Sequence, residues 1–97
     1  MTASPNPFSV SNQGSTTISY TLSEDATVSV VITDGSGNVV RTLRSQVNQT
    51  AGSQSVAWDG TDESGNIVAD GTYTIRIDAV DVAGNAATQF GTVDKIA

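Results

Sequence analysis

The stretch Tyr73-Thr74-Ile75-Arg76-Ile77-Asp78-Ala79 decides the fold. Tyr73, Ile75, Ile77 and Ala79 share one parity, and Thr74, Arg76 and Asp78 take the other. A period of two places alternate side chains on opposite faces of an extended chain, one on a core and one in water. Working outward, the same pattern recurs. Ile18, Tyr20 and Leu22 alternate with Thr17, Ser19 and Thr21. Val28, Val30 and Ile32 alternate with Ser29 and Thr33, with Val31 as the one break. Val56 and Trp58 continue it after Ser53 and Ser55. No window carries a stripe of helical period, and Gly, Thr and Val recur too often for one.

Turn chemistry separates these runs. Ser23-Glu24-Asp25 links the first two, and Asp34-Gly35-Ser36-Gly37-Asn38 makes a tight hairpin connection, because Gly and Asn tolerate positive φ. Residues 48–52 form a looser bend and residues 59–66 a longer loop rich in Asp, Gly and Ser. Asp70-Gly71 is a corner, and residues 81–85 are another tight connection. The reading gives strands at 16–22, 26–33, 38–44, 52–58, 66–69, 72–80 and 86–93. A short strand at 7–10 would be held to the margin by Pro5 and Pro7. The fold class is therefore all-β: an immunoglobulin-like antiparallel β-sandwich of about seven strands, with a small closed barrel as the structural rival.

The chain of 97 residues is read as a single domain spanning 1–97, with a linker-like segment at 1–6 and a tail at 94–97. Met1 precedes Thr2-Ala3-Ser4-Pro5, which reads as linker, so Met1 is read as a cloning start and the chain as a piece of a longer protein. The formal net charge is −6. An acidic surface repels phosphate backbones and anionic membrane surfaces, so neither nucleic acid nor membrane is an expected partner. No run of eighteen apolar residues exists, so no helix is expected to cross a membrane. The chain has no Cys, which removes thiolate chemistry and cysteine metal sites. It has no His, which removes the commonest general base and catalytic zinc ligand. A serine nucleophile would need a lysine base, and the one lysine, Lys95, falls in the expected tail. For the same reason a buried Lys–Asn crosslink is discounted. The chain is read as no enzyme. Abundant Ser and Thr with little Lys and Leu suit an extracellular or cell-surface β-module.

Four features stand out. Trp58, the only tryptophan, shares parity with Val56 and reads as a core anchor, against the alternative of an exposed platform for a sugar. Tyr73, just after Asp70-Gly71-Thr72, reads as a tyrosine corner whose hydroxyl bonds back to the upstream backbone. The acidic turns place oxygen side chains at alternate positions, as calcium loops do. Their candidates for calcium, the one cofactor weighed, are Asp34, Asn38, Asp59, Asp62, Asn66 and Asp81. An alternation of strand directions would put all three turns at one end of the sandwich. The competing reading is ordinary turn chemistry, since Asp, Gly and Asn are what tight turns use. Finally, residues 39–43 form a candidate edge for pairing with a neighbour, blunted by Arg41 and Arg44.

Most of the chain resembles a known family. The pieces are residues 28–34, residues 37–43, Ala51-Gly52, Val56-Ala57-Trp58-Asp59-Gly60, Asp62-Glu63-Ser64-Gly65-Asn66 and Asp70-Gly71-Thr72-Tyr73, with Ser4-Pro5-Asn6-Pro7-Phe8 and Ile18-Ser19-Tyr20-Thr21-Leu22 ahead of them. In this order they resemble the immunoglobulin-like domain of the flagellar hook-capping protein, a type also similar to domains of secreted subtilisin-like proteases and tandem bacterial surface repeats. The resemblance implies a β-sandwich without catalysis of its own. Residues 79–87 look more like the final hairpin of the tandem repeats. The expected function is a non-catalytic structural or accessory module, a spacer, stalk or docking bead, in a larger secreted or surface bacterial protein. The alternatives are an assembly module such as a hook-cap or fibre subunit, and a module binding carbohydrate or protein. Expected partners are neighbouring domains of the same chain, and another protein or a glycan.

Overall fold

A computed structural model describes residues 2–12 and 14–96; the reading of Met1 lies outside them. Eight strands follow in order: β1 (Thr2–Ser4), β2 (Phe8–Ser9), β3 (Thr16–Leu22), β4 (Ala26–Thr33), β5 (Val39–Gln49), β6 (Gly52–Trp58), β7 (Gly71–Asp81) and β8 (Ala86–Ile96). They form two sheets, β1-β3-β6 and β2-β8-β7-β4-β5. All pairings are antiparallel except β2 with β8, which is parallel. This is an all-β immunoglobulin-like sandwich.

The alternation builds the core directly. Ile18, Tyr20 and Leu22 of β3 face Val28, Val30 and Ile32 of β4 and Tyr73, Ile75 and Ile77 of β7, and all nine are buried. Phe8, Trp58 and Val93 complete the cluster. Full burial of a branched or aromatic side chain is worth about 1.5–3 kcal/mol, so this double layer is the main stabilising term.

Four expectations are corrected. Residues 66–69 are not a strand. Only an isolated bridge, Thr61 to Ile67, survives there, because the Asp62 turn folds Ile67 back on its own loop. Residues 2–4, expected as linker, pair with β3 from Thr2↔Ser19 to Ser4↔Thr17. Residues 94–96, expected as tail, are the last rungs of β8, with Lys95 opposite Gly71 on one side and Phe8 on the other. Strand β5 runs to Gln49, five residues past its expected end, through register shifts against β4 and a left-handed Gln46 at φ 51°.

Candidate functional site

The three acidic turns share one construction. In each, the first Asp N–H donates to the carbonyl of the Asn four residues on: Asp34 to Asn38 at 3.0 Å, Asp62 to Asn66 at 2.9 Å, Asp81 to Asn85 at 3.0 Å. The Gly three residues on returns a bond to the Asp carbonyl in each turn. Those glycines sit at φ 87°, 85° and 86°, the left-handed position that ends a type I turn in a three-residue hairpin loop. One oxygen of each carboxylate is engaged locally. Oδ1 of Asp34, Asp62 and Asp81 accepts the N–H of Asn38, Asn66 and Asn85 at 3.0, 3.0 and 2.8 Å. Bonds from the Asn38 and Asn85 amides, first among several, hold the Asp34 and Asp81 carboxyls below the usual carboxylate range. Asp59 is also held low, chiefly by the Thr61 hydroxyl.

The turns do not gather at one end. Thr33, just before Asp34, pairs with Thr74, whereas Asp81 pairs with Ala26. Seven residues of β7, about 24 Å of strand, therefore separate the two turns. Asp34, Asp59 and Asp62 belong to one end and Asp81 to the other, where it meets Glu24. Among the described residues no three acidic side chains converge as a metal site would need.

Trp58 is fully buried, edge-on to Phe8 at 5.6 Å and to Tyr73 at 5.2 Å between centroids. Its Nε1–H donates to the Thr61 carbonyl at 2.9 Å. The Tyr73 hydroxyl donates to the Ala69 carbonyl at 2.6 Å, and burial pushes its pKa up. Among the described aromatics, Phe90 alone is open to solvent, at 67% exposure.

Sequence reasoning missed Lys95. Its side chain is 2% exposed, and Nζ meets Asp70 Oδ1 at 2.7 Å. The stem passes Gly60, where a Cβ would lie 2.9 Å from Val10 Cγ2 and 3.3 Å from Lys95 Cε. The signal was present: Lys95 continues the inward parity of Val93. Its position near the end and its charge hid it.

The edge at residues 39–43 is capped. The Glu63 N–H donates to the Val40 carbonyl, and the Glu63 carboxylate accepts the Thr42 N–H. Arg41 ties this loop down through Thr61 and the Asp62 carbonyl, and Arg44 bonds the Ser55 carbonyl of β6. The edge expected to pair with a neighbour is thus closed by the chain itself.

One open edge is on β8; β1 and β6 are the edges of the other sheet. Residues 82–90 are all exposed, and residues 82–93 carry no charge. The N-terminal segment covers only the far part of this strand. The Thr92 carbonyl and Asp94 N–H are taken by the Asn6 side chain at 3.3 and 3.0 Å, and the Ile96 carbonyl by the Val10 N–H at 3.3 Å. Even-numbered residues of β8 therefore turn their backbone groups toward the edge. Ala86, Thr88 and Phe90 are the earlier members of this series, and among the described residues β8 has no strand partner there except β7. No helix of the described residues is long and apolar enough to cross a membrane.

A family model described as the FlgD Ig-like domain matches residues 6–83. Two solved structures are similar. FlgD from P. aeruginosa is 31% identical with TM-score 0.69, over 82% of this chain and 61% of that one. FlgD from Xanthomonas campestris, described in terms of the hook capping essential for flagellar assembly, is 37% identical with TM-score 0.67, over 84% of this chain and 58% of that one. The chain thus spans about three fifths of the length of these structures. No curated protein matches.

Proposed function

Because the chain belongs to the FlgD Ig-like domain family, we propose that it is a non-catalytic assembly module, working by protein–protein contact in a larger bacterial protein outside the cell, of the hook-capping kind. The single observation that carries this reading is the likeness to two solved FlgD structures over more than four fifths of the chain. The charge and side-chain inventory agrees with it. A chain without His or Cys, whose carboxylates at Asp34, Asp62 and Asp81 are engaged by their own turns, has little to offer catalysis. The generic spacer or stalk reading is compatible and less specific. The sugar-binding reading is left with one exposed aromatic, Phe90, since Trp58 is inside. Calcium at the turns would have to use Oδ2 of Asp34 and Asp62, since Oδ1 of each holds the backbone bonds that shape its loop.

The test is a domain exchange. The immunoglobulin-like domain of a hook-capping protein is replaced by this chain in a flagellated bacterium, and hooks are counted by electron microscopy. Export of the chimera is checked by immunoblot. Restored hooks, against none in the domain-deleted strain, are expected. An exported chimera that leaves cells hookless would refute the hook-capping reading.

A further inference from the structure

The end of the sandwich that carries the Asp34 and Asp62 turns holds an apolar cleft beside a group of carboxylates. We propose that this cleft seats one branched or aromatic side chain of a partner protein, presented by a segment with Lys or Arg flanking it. The proposal rests on the assembly reading and names the chemistry of the partner.

Three observations carry it. First, the cleft is apolar where its neighbours are not. Val10, Ser11, Ile67, Val68, Asp70 and Lys95 line a volume of about 420 Å³, within the range of about 300–1,000 Å³ found for ligand sites. Val10 and Val68 pack on the core cluster, and the Lys95 stem runs beside Gly60 and Val10. Hydrocarbon thus covers most of the lining. Two other clefts are lined mainly by hydroxyl and amide groups: Thr27, Asn48, Gln49 and Thr50 in one, Ser19, Thr21, Ser53 and Gln54 in the other.

Second, Ile67 serves no internal packing. It belongs neither to the core cluster nor to the residues packed on it, makes only the Thr61 bridge, and is 63% exposed. A lone exposed Ile is ordinary. One at the lip of an apolar cleft enlarges the surface that an inserted side chain covers.

Third, charge selects the occupant. Asp34, Asp59, Asp62, Glu63 and Asp70 stand at this end against Arg41 and Lys95. Asp70 holds Lys95 yet keeps its side chain 56% exposed, and Asp62 keeps Oδ2 outside its turn bonds. An excess of carboxylates beside a low-dielectric cleft attracts cations. The same chemistry excludes a second copy. The four cations of the chain are all engaged: Arg41 by Thr61 and the Asp62 carbonyl, Arg44 by the Ser55 carbonyl, Arg76 by Asp78, Lys95 by Asp70. A copy carrying −6 has no unengaged cation to bring, so the basic flank comes from another protein.

The test pans a phage-displayed library of random short peptides against this chain. Enriched peptides should share a Leu, Ile, Met or Phe flanked by Lys or Arg. The most enriched one, synthesised, should shift the amide NMR signals of Val10, Gly60, Ile67, Val68 and Lys95, and its binding should weaken as salt rises. Ile67→Ser, which removes the apolar lip, should bind it about fivefold more weakly or worse. Asp62→Asn, which keeps the turn acceptor, should flatten the salt dependence. Val82→Ser, at an exposed site of the far end, should bind as wild type does, and melting curves confirm that all three variants stay folded. No enrichment, enrichment of peptides without a cation, or shifts confined to other amides would each overturn the proposal. So would concentration-dependent shifts of the same five amides without peptide, since a second copy would then be the occupant. The panning uses this chain alone, so its failure is distinct from a failure of the domain exchange.

Discussion

Removing Asp70 should cost more than removing Lys95, although they are two ends of one ion pair. The pair is asymmetric: the Lys95 side chain is 2% exposed and that of Asp70 56%. In Asp70→Ala the ammonium stays inside with its one carboxylate gone. An unsatisfied buried group costs about 1–3 kcal/mol. The larger cost of about 3–5 kcal/mol, seen when both partners are buried, does not apply, because water reaches the Asp70 side. At about 4–8 °C per kcal/mol for a domain of this size, the melting temperature should fall by about 4–24 °C. In Lys95→Met the stem still packs beside Gly60 and Val10, the charge is gone, and Asp70 is solvated. The expected change is under about 1 kcal/mol, in either direction. The double variant should return to near wild type. Denaturant unfolding read through the fluorescence of Trp58 gives all four corners of the cycle. If Lys95→Met destabilises as much as Asp70→Ala, or the double variant is the sum of the two, the ammonium is a net stabiliser and the reasoning fails.

Two further predictions follow from turn geometry. Gly60→Ala should destabilise by more than about 1 kcal/mol, since φ is 78° and the new Cβ would meet Val10 Cγ2 at 2.9 Å; a thermal melt within error of wild type would contradict this. Asp34, Asp59 and Asp81 have carboxyls held below their ordinary range in the folded chain. Their contribution is therefore complete above the unfolded value of about 4 and disappears as pH falls through the folded values. The melting temperature should drop on acidification below about pH 4, and Asp34→Asn with Asp81→Asn, which keep the turn acceptor, should flatten that drop.

Much of the fold was legible because the core is built by strict alternation. Tyr73, Ile75 and Ile77 announced β7, and Ile18, Tyr20 and Leu22 announced β3. What was illegible is what pairing in space decides. Thr2, Ala3 and Ser4 show no alternation, yet β3 offers them an edge and they take it. Ile67 and Val68 look like a strand, but the Asp62 turn commits them to a loop. That single misreading spreads. Counting a strand that does not exist inverts the direction of every later one, which is why Asp81 was expected beside Asp34 and lies at the other end. The open edge of β8 was hidden for a related reason. A sequence shows which side chains face the core, but which strand lacks a neighbour depends on the order of the whole sheet. Lys95 was hidden by a rule that is right on average, since lysines near chain ends are usually solvated.

The parallel pairing of β2 with β8 sets how this domain bears a load. The bonds that join the first strands to the last, Val10 to Ile96 and Asn6 to Thr92 and Asp94, lie across the line between the two ends of the chain. Tension at both ends would load β1 on β3 first and then slide β2 along β8, straining these bonds together. A hairpin pulled from its open end yields one bond at a time. Pulled at its two ends, the domain would thus resist through these bonds in shear and not by peeling.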